Sequence, residues 1–323
     1  MKQVFCKQFS SNIENNIEVD DVPIPTIAND EVLIKMLAAP INPTDLLLIT
    51  NRHIFEPKLP SPVGMEAVGK IIEKGKDVSE VNIGDIVALP YGGNWSEYVN
   101  KKESDFFVLP DDLDIIQASM FSINPFTAIG LLEGLKEGDW LLQNAANSAI
   151  GKMIISIAAK KGINTINIVR KESYARALYD LGANCVIDND EALQQQIKEA
   201  TGGKLVNRAL DAIAGNATGK LYDCITDNGE LWCYGLLASD DIILPATKVV
   251  FGNVVIKGYS RLKIFRNRTK EEIKLLVDEI SSYIRDGVIS TPVQQVFPIT
   301  EAKQAVKLAN EEGRQGKIVF TFD

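Results

Sequence analysis

Residues 140–161 read WLLQNAANSAIGKMIISIAAKK, and this stretch indicates the fold class of the chain. The apolar run Trp140–Ala145 has the length and composition of a buried strand. In Ile150–Lys161 the apolar residues recur every three or four positions, which predicts an amphipathic helix. The loop between the two segments is short and holds a single glycine, Gly151. A strand that enters a helix through a tight turn is the repeating unit of a parallel α/β sheet.

The alternation of strands and helices continues from this stretch to about residue 258. The further strand candidates are Thr165–Arg170, Cys185–Asp188, Arg208–Ile213, Glu230–Gly235 and Val254–Gly258. Parallel strands need long crossover connections, and helical patterns fill the intervals between these runs. Six strands with intervening helices predict an α/β fold with a doubly wound parallel sheet over residues 123–258.

The two ends of the chain have a different texture. Residues 1–122 hold short β-like runs separated by glycine, proline, asparagine and aspartate, which predicts a β-rich module. The last part, 259–323, contains one long helical pattern, Lys270–Arg285, and the closing strand-like run GKIVFTF. Because this part is too short for a separate domain, we expect it to pack on the first module, so that 1–122 and 259–323 form one domain.

Composition limits the classes of partner. The chain has 323 residues, 46% of them hydrophobic, and a formal net charge of −9. The acidic balance disfavours binding to nucleic acid or to an anionic membrane surface, and no apolar run is long enough to span a bilayer. The four cysteines are scattered and the amino terminus lacks a signal-peptide core, so we expect free thiols and a cytoplasmic location.

The turn before the predicted helix is a candidate binding site for the pyrophosphate of a dinucleotide. A helix amino terminus presents unpaired N–H groups and the positive end of the helix dipole to an anion. Glycines are favoured there because a side chain would obstruct the phosphate, and small residues are the nearest replacement. The candidate residues are Asn147, Ser148, Ala149, Ile150 and Gly151. An ordinary strand-to-helix loop is the alternative.

The end of the second strand indicates which dinucleotide would bind. Arg170 follows Gly151 by 19 residues, and Lys171 comes next. NAD sites place an acidic residue near this point to bind the ribose 2′-hydroxyl, whereas an arginine suits a 2′-phosphate. No acidic residue ends this strand, so the pattern favours NADPH over NADH. A solvated basic strand end is the alternative.

At this point the chain resembles the medium-chain dehydrogenases/reductases. The resemblance covers most of the chain and implies a GroES-like β-rich catalytic domain with an inserted Rossmann domain. VGMEAVGKI is similar to the segment where the zinc alcohol dehydrogenases carry Gly-His-Glu, but Met65 stands at the histidine position. No cysteine lies near Asn42–Asp45 and the four-cysteine lobe is absent, so we expect no metal site.

Within the zinc-free, quinone oxidoreductase-like branch, QNAANSAIGK is most similar to the turn of mitochondrial-type trans-2-enoyl-thioester reductases. TINIVRK is similar to their second strand, whose terminal arginine contacts the 2′-phosphate. The motifs INPTDLLLI, INPFTAIGLL, LWCYGLL and QGKIVFTF also match. The resemblance implies further cofactor contacts at Asn42, Asn124, Thr127, Tyr234, Gly235 and Lys317.

Three residues are candidates for catalysis on the same grounds. His53, the only histidine, stands where the branch carries a tyrosine, and it could donate a hydrogen bond or a proton; a loop or packing role is the alternative. Trp95 in YGGNWSEYV is a candidate pocket wall or, alternatively, part of a buried aromatic cluster. Tyr259 in VIKGYSRLKIF matches an aromatic pair whose second member is replaced here by Ser260.

The sequence thus predicts an NADPH-dependent reductase of an activated C=C bond. Hydride would add to the carbon β to a carbonyl, hydrogen-bond donors would stabilise the enolate, and His53, a tyrosine or water would protonate it. Enoyl thioesters are the first substrate class and quinones or enones the second, all of them small molecules. A catalytically inactive NADPH-binding sensor or structural protein is the alternative from another class. The resemblance implies a homodimer.

Overall fold

The chain folds as two units, one built from both ends of the chain and the other from its middle. The structure, a computed structural model, describes residues 1–53, 57–189, 191–311, 313–314 and 316–322. The first unit comprises Met1–Ile123 with Lys274–Asp323, and the second comprises Asn124–Ile273. The sequence placed these boundaries at 122/123 and 258/259, so the second unit here extends 15 residues further along the chain.

The amino-terminal part of the first unit is β-rich, as its texture predicts. Its elements are β1 (Lys2–Cys6), β2 (Ile17–Asp21), β3 (Glu31–Pro40), α1 (Pro43–Ile49), β4 (Ser61–Pro62), β5 (Ala67–Lys74), β6 (Ile86–Leu89), β7 (Tyr98–Lys102), β8 (Phe107–Leu109) and α2 (Ile115–Ser119). The strand pairs described within this part are antiparallel, and they include the pairing of β3 with both β5 and β7.

Strands and helices alternate through the middle of the chain. The elements are α3 (Asn124–Leu132), β9 (Trp140–Gln143), α4 (Ala149–Lys160), β10 (Asn164–Ile168), α5 (Ala175–Asp180), β11 (Cys185–Ile187), α6 (Leu193–Thr201), β12 (Val206–Asp211), α7 (Asn216–Tyr222), β13 (Ile225–Cys233), α8 (Ala246–Phe251), β14 (Val255–Gly258), α9 (Leu262–Arg266) and α10 (Lys270–Arg285). The helix α10 has the bounds that its periodicity predicts.

The second unit is a doubly wound parallel sheet. Its strand order is β11-β10-β9-β12-β13-β14, and every neighbouring pair is parallel. The order reverses between β9 and β12, and ligands bind at such switch points beyond the carboxyl ends of the strands. The predicted α/β class is therefore confirmed. The strand predicted over Trp140–Ala145 ends at Gln143, because Ala145 adopts a left-handed φ of 48° that a strand cannot continue through.

The carboxyl-terminal elements return to the sheet of the first unit. They are β15 (Val293–Pro298), α11 (Ala302–Asn310) and β16 (Lys317–Thr321). The strand β16 pairs antiparallel with β3, so that Val319 lies opposite Pro40. The core of this unit is continuous through that junction, where Trp95 packs edge-to-face on Phe320 with ring centroids 5.1 Å apart. Burial of such aromatic pairs ties the two ends of the chain together.

Two further properties concern the described residues as a whole. None of their helices combines the length and the apolar character that a membrane span requires. The four cysteines, Cys6, Cys185, Cys224 and Cys233, are all free thiols. Burial raises the pKa of the Cys224 thiol to about 12, so this side chain is an inert packing residue at neutral pH.

Candidate cofactor site

The turn between β9 and α4 has an unusually close backbone approach. Ser148 caps α4, its hydroxyl accepting the N–H of Gly151 at 3.1 Å, while its own N–H donates to the carbonyl of Ala145. A Cβ at position 151 would lie 2.6 Å from the carbonyl oxygen of Ala146. Real Cβ atoms do not approach backbone that closely, so the one retained glycine is required for packing of the helix against the turn.

The first N–H groups of α4 are available to an anion. Ser148 takes the N–H of Gly151, but in the part of the chain that the structure describes the N–H groups of Ala149 and Ile150 have no acceptor. Both residues are partly exposed. Two unpaired donors at the positive end of a three-turn helix fit a pyrophosphate, and the small side chain of Ala149 leaves the approach open.

The basic pair after β10 lies at the same edge of the sheet. The strand ends at Ile168, and Arg170 and Lys171 follow it as exposed residues. Because β10 runs parallel to β9, their carboxyl ends meet at one edge, the edge that carries the turn before α4. Neither residue forms an ion pair within the described ranges. The two cations are thus available to a phosphate group at the ribose end of a dinucleotide.

A backbone hydrogen bond and a close backbone approach join the loop after β13 to the loop after β12. Tyr234 donates its N–H to the carbonyl of Asp211 at 2.9 Å, and a Cβ at Gly235 would lie 2.6 Å from the carbonyl oxygen of Ala212. Gly235 is therefore needed for close approach of two backbones. The Tyr234 hydroxyl is buried with no hydrogen-bond partner among the described residues, and burial raises its pKa above the ordinary value.

Asn124 and Thr127 lie in the first turns of α3, in the second unit. Their side chains are only 5% and 7% exposed, so in this structure they present little surface to a ligand. All nine residues of α3 are buried, in agreement with the apolar composition of this helix. The cofactor contacts implied for these two residues stay predictions.

Asn42 and Lys317 belong to the first unit and meet in a buried polar cluster with Asp45 and Glu66. The Asn42 amide donates to Glu66 Oε1 at 2.8 Å and accepts from the Lys317 ammonium. Asp45 accepts the N–H groups of Asn42 and Met65, each at 2.7 Å. Of the four side chains, Lys317 is the most exposed, at 7%. The two residues predicted as cofactor contacts therefore contact each other.

Burial dominates the ionisation of this cluster. It raises the pKa of Asp45 to about 7, although the N–H groups of Asn42 and Met65 act to lower it. It lowers the pKa of Lys317 to about 8, although the carboxylates of Glu66 and Asp45 act to raise it. The free-energy cost of removing each charge from water is larger here than the stabilisation by the neighbouring opposite charge.

The catalytic candidates occupy contrasting environments. His53 is half-buried in the first unit, close after α1. Trp95 is fully buried in the core of that unit and donates its indole N–H to the carbonyl of Pro40 at 3.3 Å. A side chain with no exposed surface cannot contact a substrate in this conformation, so the structure favours the packing interpretation of Trp95.

Tyr259 belongs to the second unit. Its ring stacks on Trp232 with centroids 5.6 Å apart, and its hydroxyl lies so close to Gly130 of α3 that a Cβ there would collide with it. The hydroxyl has no hydrogen-bond partner in the described chain, and burial raises its pKa. In this structure the phenol therefore packs against a helix, and its catalytic role stays a prediction.

The described residues do not include a cluster of metal ligands. No group of three or more histidine, cysteine, aspartate or glutamate side chains is arranged there to hold a metal ion. At the position where the resemblance places a zinc-binding histidine, Met65 offers a thioether and uses its backbone N–H to bind Asp45.

Comparison with known proteins agrees with this geometry. The family model for an alcohol dehydrogenase GroES-like domain matches residues 28–111, and that for a zinc-binding dehydrogenase matches residues 149–280. The mitochondrial enoyl-[acyl-carrier-protein] reductase of Xenopus tropicalis is 32% identical over 304 residues, covering 90% of this chain and 87% of the relative. The chain belongs to the medium-chain dehydrogenase/reductase family. With Met65 at the histidine position, it falls in the zinc-free, quinone oxidoreductase-like branch.

Other members of this family support the placement. The enoyl-[acyl-carrier-protein] reductase of Dictyostelium discoideum is 31% identical, with 91% of this chain and 87% of the relative covered. A Bacillus thuringiensis protein provisionally named an NADPH:quinone reductase superposes with a TM-score of 0.92 at 27% identity, covering 100% and 99% of the two chains. The 2-enoyl thioester reductase heterodimer of Candida tropicalis, at 22% identity, a TM-score of 0.86 and 99% coverage of both chains, shares the fold.

As a medium-chain dehydrogenase/reductase, the chain is an oxidoreductase that uses a nicotinamide cofactor. The structure gathers one group of predicted cofactor residues at the carboxyl edge of the Rossmann sheet, namely Asn147, Ser148, Ala149, Ile150, Gly151, Arg170, Lys171, Tyr234 and Gly235. Asn42, His53, Trp95 and Lys317 lie in the other unit.

Sequence reasoning missed Asn144 and Asp211, the polar residues at the ends of β9 and β12. A polar residue that follows the apolar residues of a strand was the available signal for both: Asn144 comes directly after β9, and Asp211 is the last residue of β12. It also missed Asp45 and Glu66, which stand inside the quoted motifs INPTD and GMEAVG but had no expected role.

Proposed function

We propose that this medium-chain dehydrogenase/reductase reduces the activated C=C bond of a trans-2-enoyl thioester with NADPH. The observation that carries the proposal is the turn before α4: Ser148 caps the helix, while the N–H groups of Ala149 and Ile150 remain unpaired. The same glycine-poor turn is the motif through which the chain resembles enoyl thioester reductases. Relatives that match it over about nine-tenths of the chain are named enoyl-[acyl-carrier-protein] reductases.

In this proposal each part of the edge binds a different part of the cofactor. The N–H groups of Ala149 and Ile150 bind the pyrophosphate, and Arg170 with Lys171 binds the 2′-phosphate that distinguishes NADPH from NADH. When bound, NADPH supplies the hydride for the reduction. At the end of β10, Arg170 and Lys171 stand where an acidic residue would prefer a 2′-hydroxyl.

His53 is proposed as the proton donor to the substrate. An imidazole titrates near neutral pH, so it can release a proton to a developing carbanion and recover it from water. His53 is half-buried, so it is not enclosed in the core as Trp95 is. A tyrosine hydroxyl or a water molecule is the alternative donor.

A substrate comparison tests the proposal. The loss of NADPH absorbance is followed with crotonyl-coenzyme A, a quinone and a simple enone in parallel, at the same enzyme concentration. Saturable turnover that is fastest on the thioester supports the proposal. Turnover on the quinone with none on the thioester would overturn it in favour of the second candidate. NADPH binding without turnover on any acceptor would identify a sensor or structural protein.

Reduction of a quinone or an enone is the second candidate function. The observation that favours it is His53, which stands where the enoyl thioester reductases of the resemblance carry a tyrosine. The similarity to the Bacillus thuringiensis protein, named for quinone reduction, agrees with it.

We further propose that the protein is a homodimer that joins through the β14 edge of the second unit. The outer side of β14 has no partner strand among the described residues. The adjacent surface is apolar: Phe251 is 84% exposed and Val250 is 70% exposed. An unpaired edge strand can pair with the same strand of a second copy that is related by a two-fold axis. The exposed apolar patches beside the two strands then bury each other.

Light scattering after size-exclusion chromatography tests this assembly. The wild-type chain is expected at twice its monomer mass, and Phe251→Asp with Val250→Asp at the monomer mass. Leu275→Asp is the control, since Leu275 is similarly exposed, at 68%, but lies on α10. A wild-type monomer at micromolar concentration would contradict the proposal.

A further inference from the structure

The carboxyl ends of β9 and β12 are joined by a buried pair of side chains, Asn144 and Asp211. The Asn144 amide donates to Asp211 Oδ1 at 2.7 Å, and its carbonyl oxygen accepts the N–H of Ala212 at 2.8 Å. Both side chains are essentially buried, at 2% and 0% exposed. The pair therefore bridges the two strands between which the strand order of the sheet reverses.

The Asp211 carboxylate accepts hydrogen bonds from its own loop as well as from Asn144. Beyond Asn144, it accepts the N–H groups of Ile213 at 2.9 Å and Ala214 at 3.0 Å, and the hydroxyl of Thr218 at 2.6 Å. Four donors converge on one buried carboxylate. Three of the donors bind Oδ1 and the Thr218 hydroxyl binds Oδ2, so most of the acceptor capacity of this carboxylate is used to fix the surrounding backbone.

Each loop that the pair joins carries a strained alanine. Ala145, next to Asn144, has a φ of 48°, and Ala214, three residues after Asp211, has a φ of 66°. Alanine rarely adopts this left-handed region, and such residues persist where surrounding contacts over-determine the backbone. The hydrogen bonds of Asn144 and Asp211 are among these contacts, together with the backbone bond from the N–H of Ser148 to the carbonyl of Ala145.

A third loop is attached to Asp211, the last residue of β12, and to Ala212, which follows it. Tyr234 donates its N–H to the carbonyl of Asp211, and Leu237 donates to the carbonyl of Ala212 at 3.1 Å. The loops after β9, β12 and β13 thus form one hydrogen-bonded assembly. The turn whose unpaired N–H groups are proposed to bind the pyrophosphate begins at Asn144.

We infer that Asn144 and Asp211 are positioning residues for the nicotinamide cofactor, which hold the pyrophosphate turn at a fixed distance from the loops after β12 and β13. This inference rests on the proposed function. Neither side chain contacts the ligand; each acts through the backbone that it holds. Loss of the pair lets Ala145 relax from its strained conformation, and the N–H groups of Ala149 and Ile150 lose their common direction.

Fluorescence titration with NADPH in the absence of substrate tests the inference. Asn144→Ala is expected to weaken NADPH binding roughly ten-fold, because it removes two buried hydrogen bonds and leaves the N–H of Ala212 without its acceptor. The KM for NADPH should rise in parallel, while kcat at saturating NADPH stays within about three-fold, since the reacting groups are untouched. Melting temperatures are recorded for every variant.

Asn164→Ala is the matched control. Asn164 accepts a side-chain hydrogen bond from Asn184 at 3.0 Å, but at the amino end of β10, the opposite end of the sheet. This variant should bind NADPH as the wild type does. Should Asn144→Ala fail to fold, Thr218→Val, which removes one bond to Asp211, takes its place with an expected loss of roughly three-fold.

Wild-type affinity and unchanged KM in folded Asn144→Ala or Thr218→Val would overturn the inference and leave the proposed function intact. An equal loss in the Asn164→Ala control would overturn it too, because the effect would then be a general loss of stability. A wild-type protein that binds no NADPH would overturn both the inference and the proposed function.

Discussion

At the scale of single residues, Arg170 is the side chain proposed to select the cofactor. Arg170→Ala should raise the KM for NADPH roughly ten- to hundred-fold, the loss expected for a charge-assisted hydrogen bond to a phosphate. The KM for NADH should change by less than about two-fold, since NADH has no group for the guanidinium to bind. Steady-state kinetics with both cofactors measures this.

Lys160→Ala is the control for Arg170, because Lys160 is an exposed cation at the far end of α4. Its kinetics should match the wild type with either cofactor. Equal losses for NADPH and NADH in Arg170→Ala would contradict the assigned role.

His53 is the residue whose proposed role departs from the branch that the chain resembles. His53→Ala should lower kcat by about 100-fold or more, the usual contribution of a general acid, without changing NADPH binding. His53→Tyr, which restores the side chain of the resemblance, should recover part of that loss. A kcat in His53→Ala equal to that of the wild type would remove this residue from the mechanism.

The buried carboxyl of Asp45 predicts a particular pH dependence of stability. Its pKa is raised to about 7 in the folded chain from the ordinary value of 3.8, so the folded state holds a proton that the unfolded state releases between these values. The contribution of Asp45 is therefore complete below about pH 4 and is lost as the pH rises to 7, by about 1.4 kcal/mol per pH unit.

Denaturant unfolding of the wild type and Asp45→Asn from pH 4 to 7 measures this effect. The wild type should lose stability relative to the variant as the pH rises, because an amide has no proton to release. The comparison is of slopes, so a constant offset from lost hydrogen bonds does not affect it. Parallel curves would show that Asp45 does not titrate in this window.

At the scale of elements, the junction of β9 with α4 depends on Gly151. Gly151→Ala places a Cβ 2.6 Å from the backbone oxygen of Ala146, and backbone cannot yield as a flexible side chain does. The helix start must move, so we expect a lower melting temperature and roughly ten-fold weaker NADPH binding. Calorimetry and NADPH titration measure the two effects.

Gly92→Ala controls for the general cost of adding a methyl group. A Cβ at Gly92 would lie 3.8 Å from the sulfur of Met65, an ordinary contact distance. This variant should resemble the wild type in both measurements. Unchanged stability and affinity in Gly151→Ala would show that the turn tolerates a side chain, so that packing does not require glycine at this position.

At the scale of the whole molecule, periodicity predicted the elements of the second unit well, because each parallel strand and its helix carry a local pattern. In that unit β9 and β10 each end two residues before the predicted position, while α10, most of which belongs to the first unit, has the predicted bounds. These ends depend on turns such as the left-handed Ala145, which no periodic pattern encodes.

The candidate site was predictable where it depends on strand order and not where it depends on burial. Arg170 and the α4 turn lie at one sheet edge because parallel strands place their ends together. Trp95 and Lys317 gave no sequence signal of burial, since an aromatic or a lysine in a loop motif is compatible with either environment. The pairing of Asn144 with Asp211 joins residues 67 positions apart, which a single sequence cannot reveal.

If the protein reduces an enoyl thioester, the hydride of NADPH must appear in the reduced thioester. The protein is incubated with crotonyl-coenzyme A and NADPH that carries deuterium at the transferable position, and the product is examined by mass spectrometry and NMR. Hydride transfer to the β carbon should give butyryl-coenzyme A with one deuterium on the carbon β to the thioester carbonyl. Unreduced crotonyl-coenzyme A, with the same preparation turning over a quinone, would contradict it.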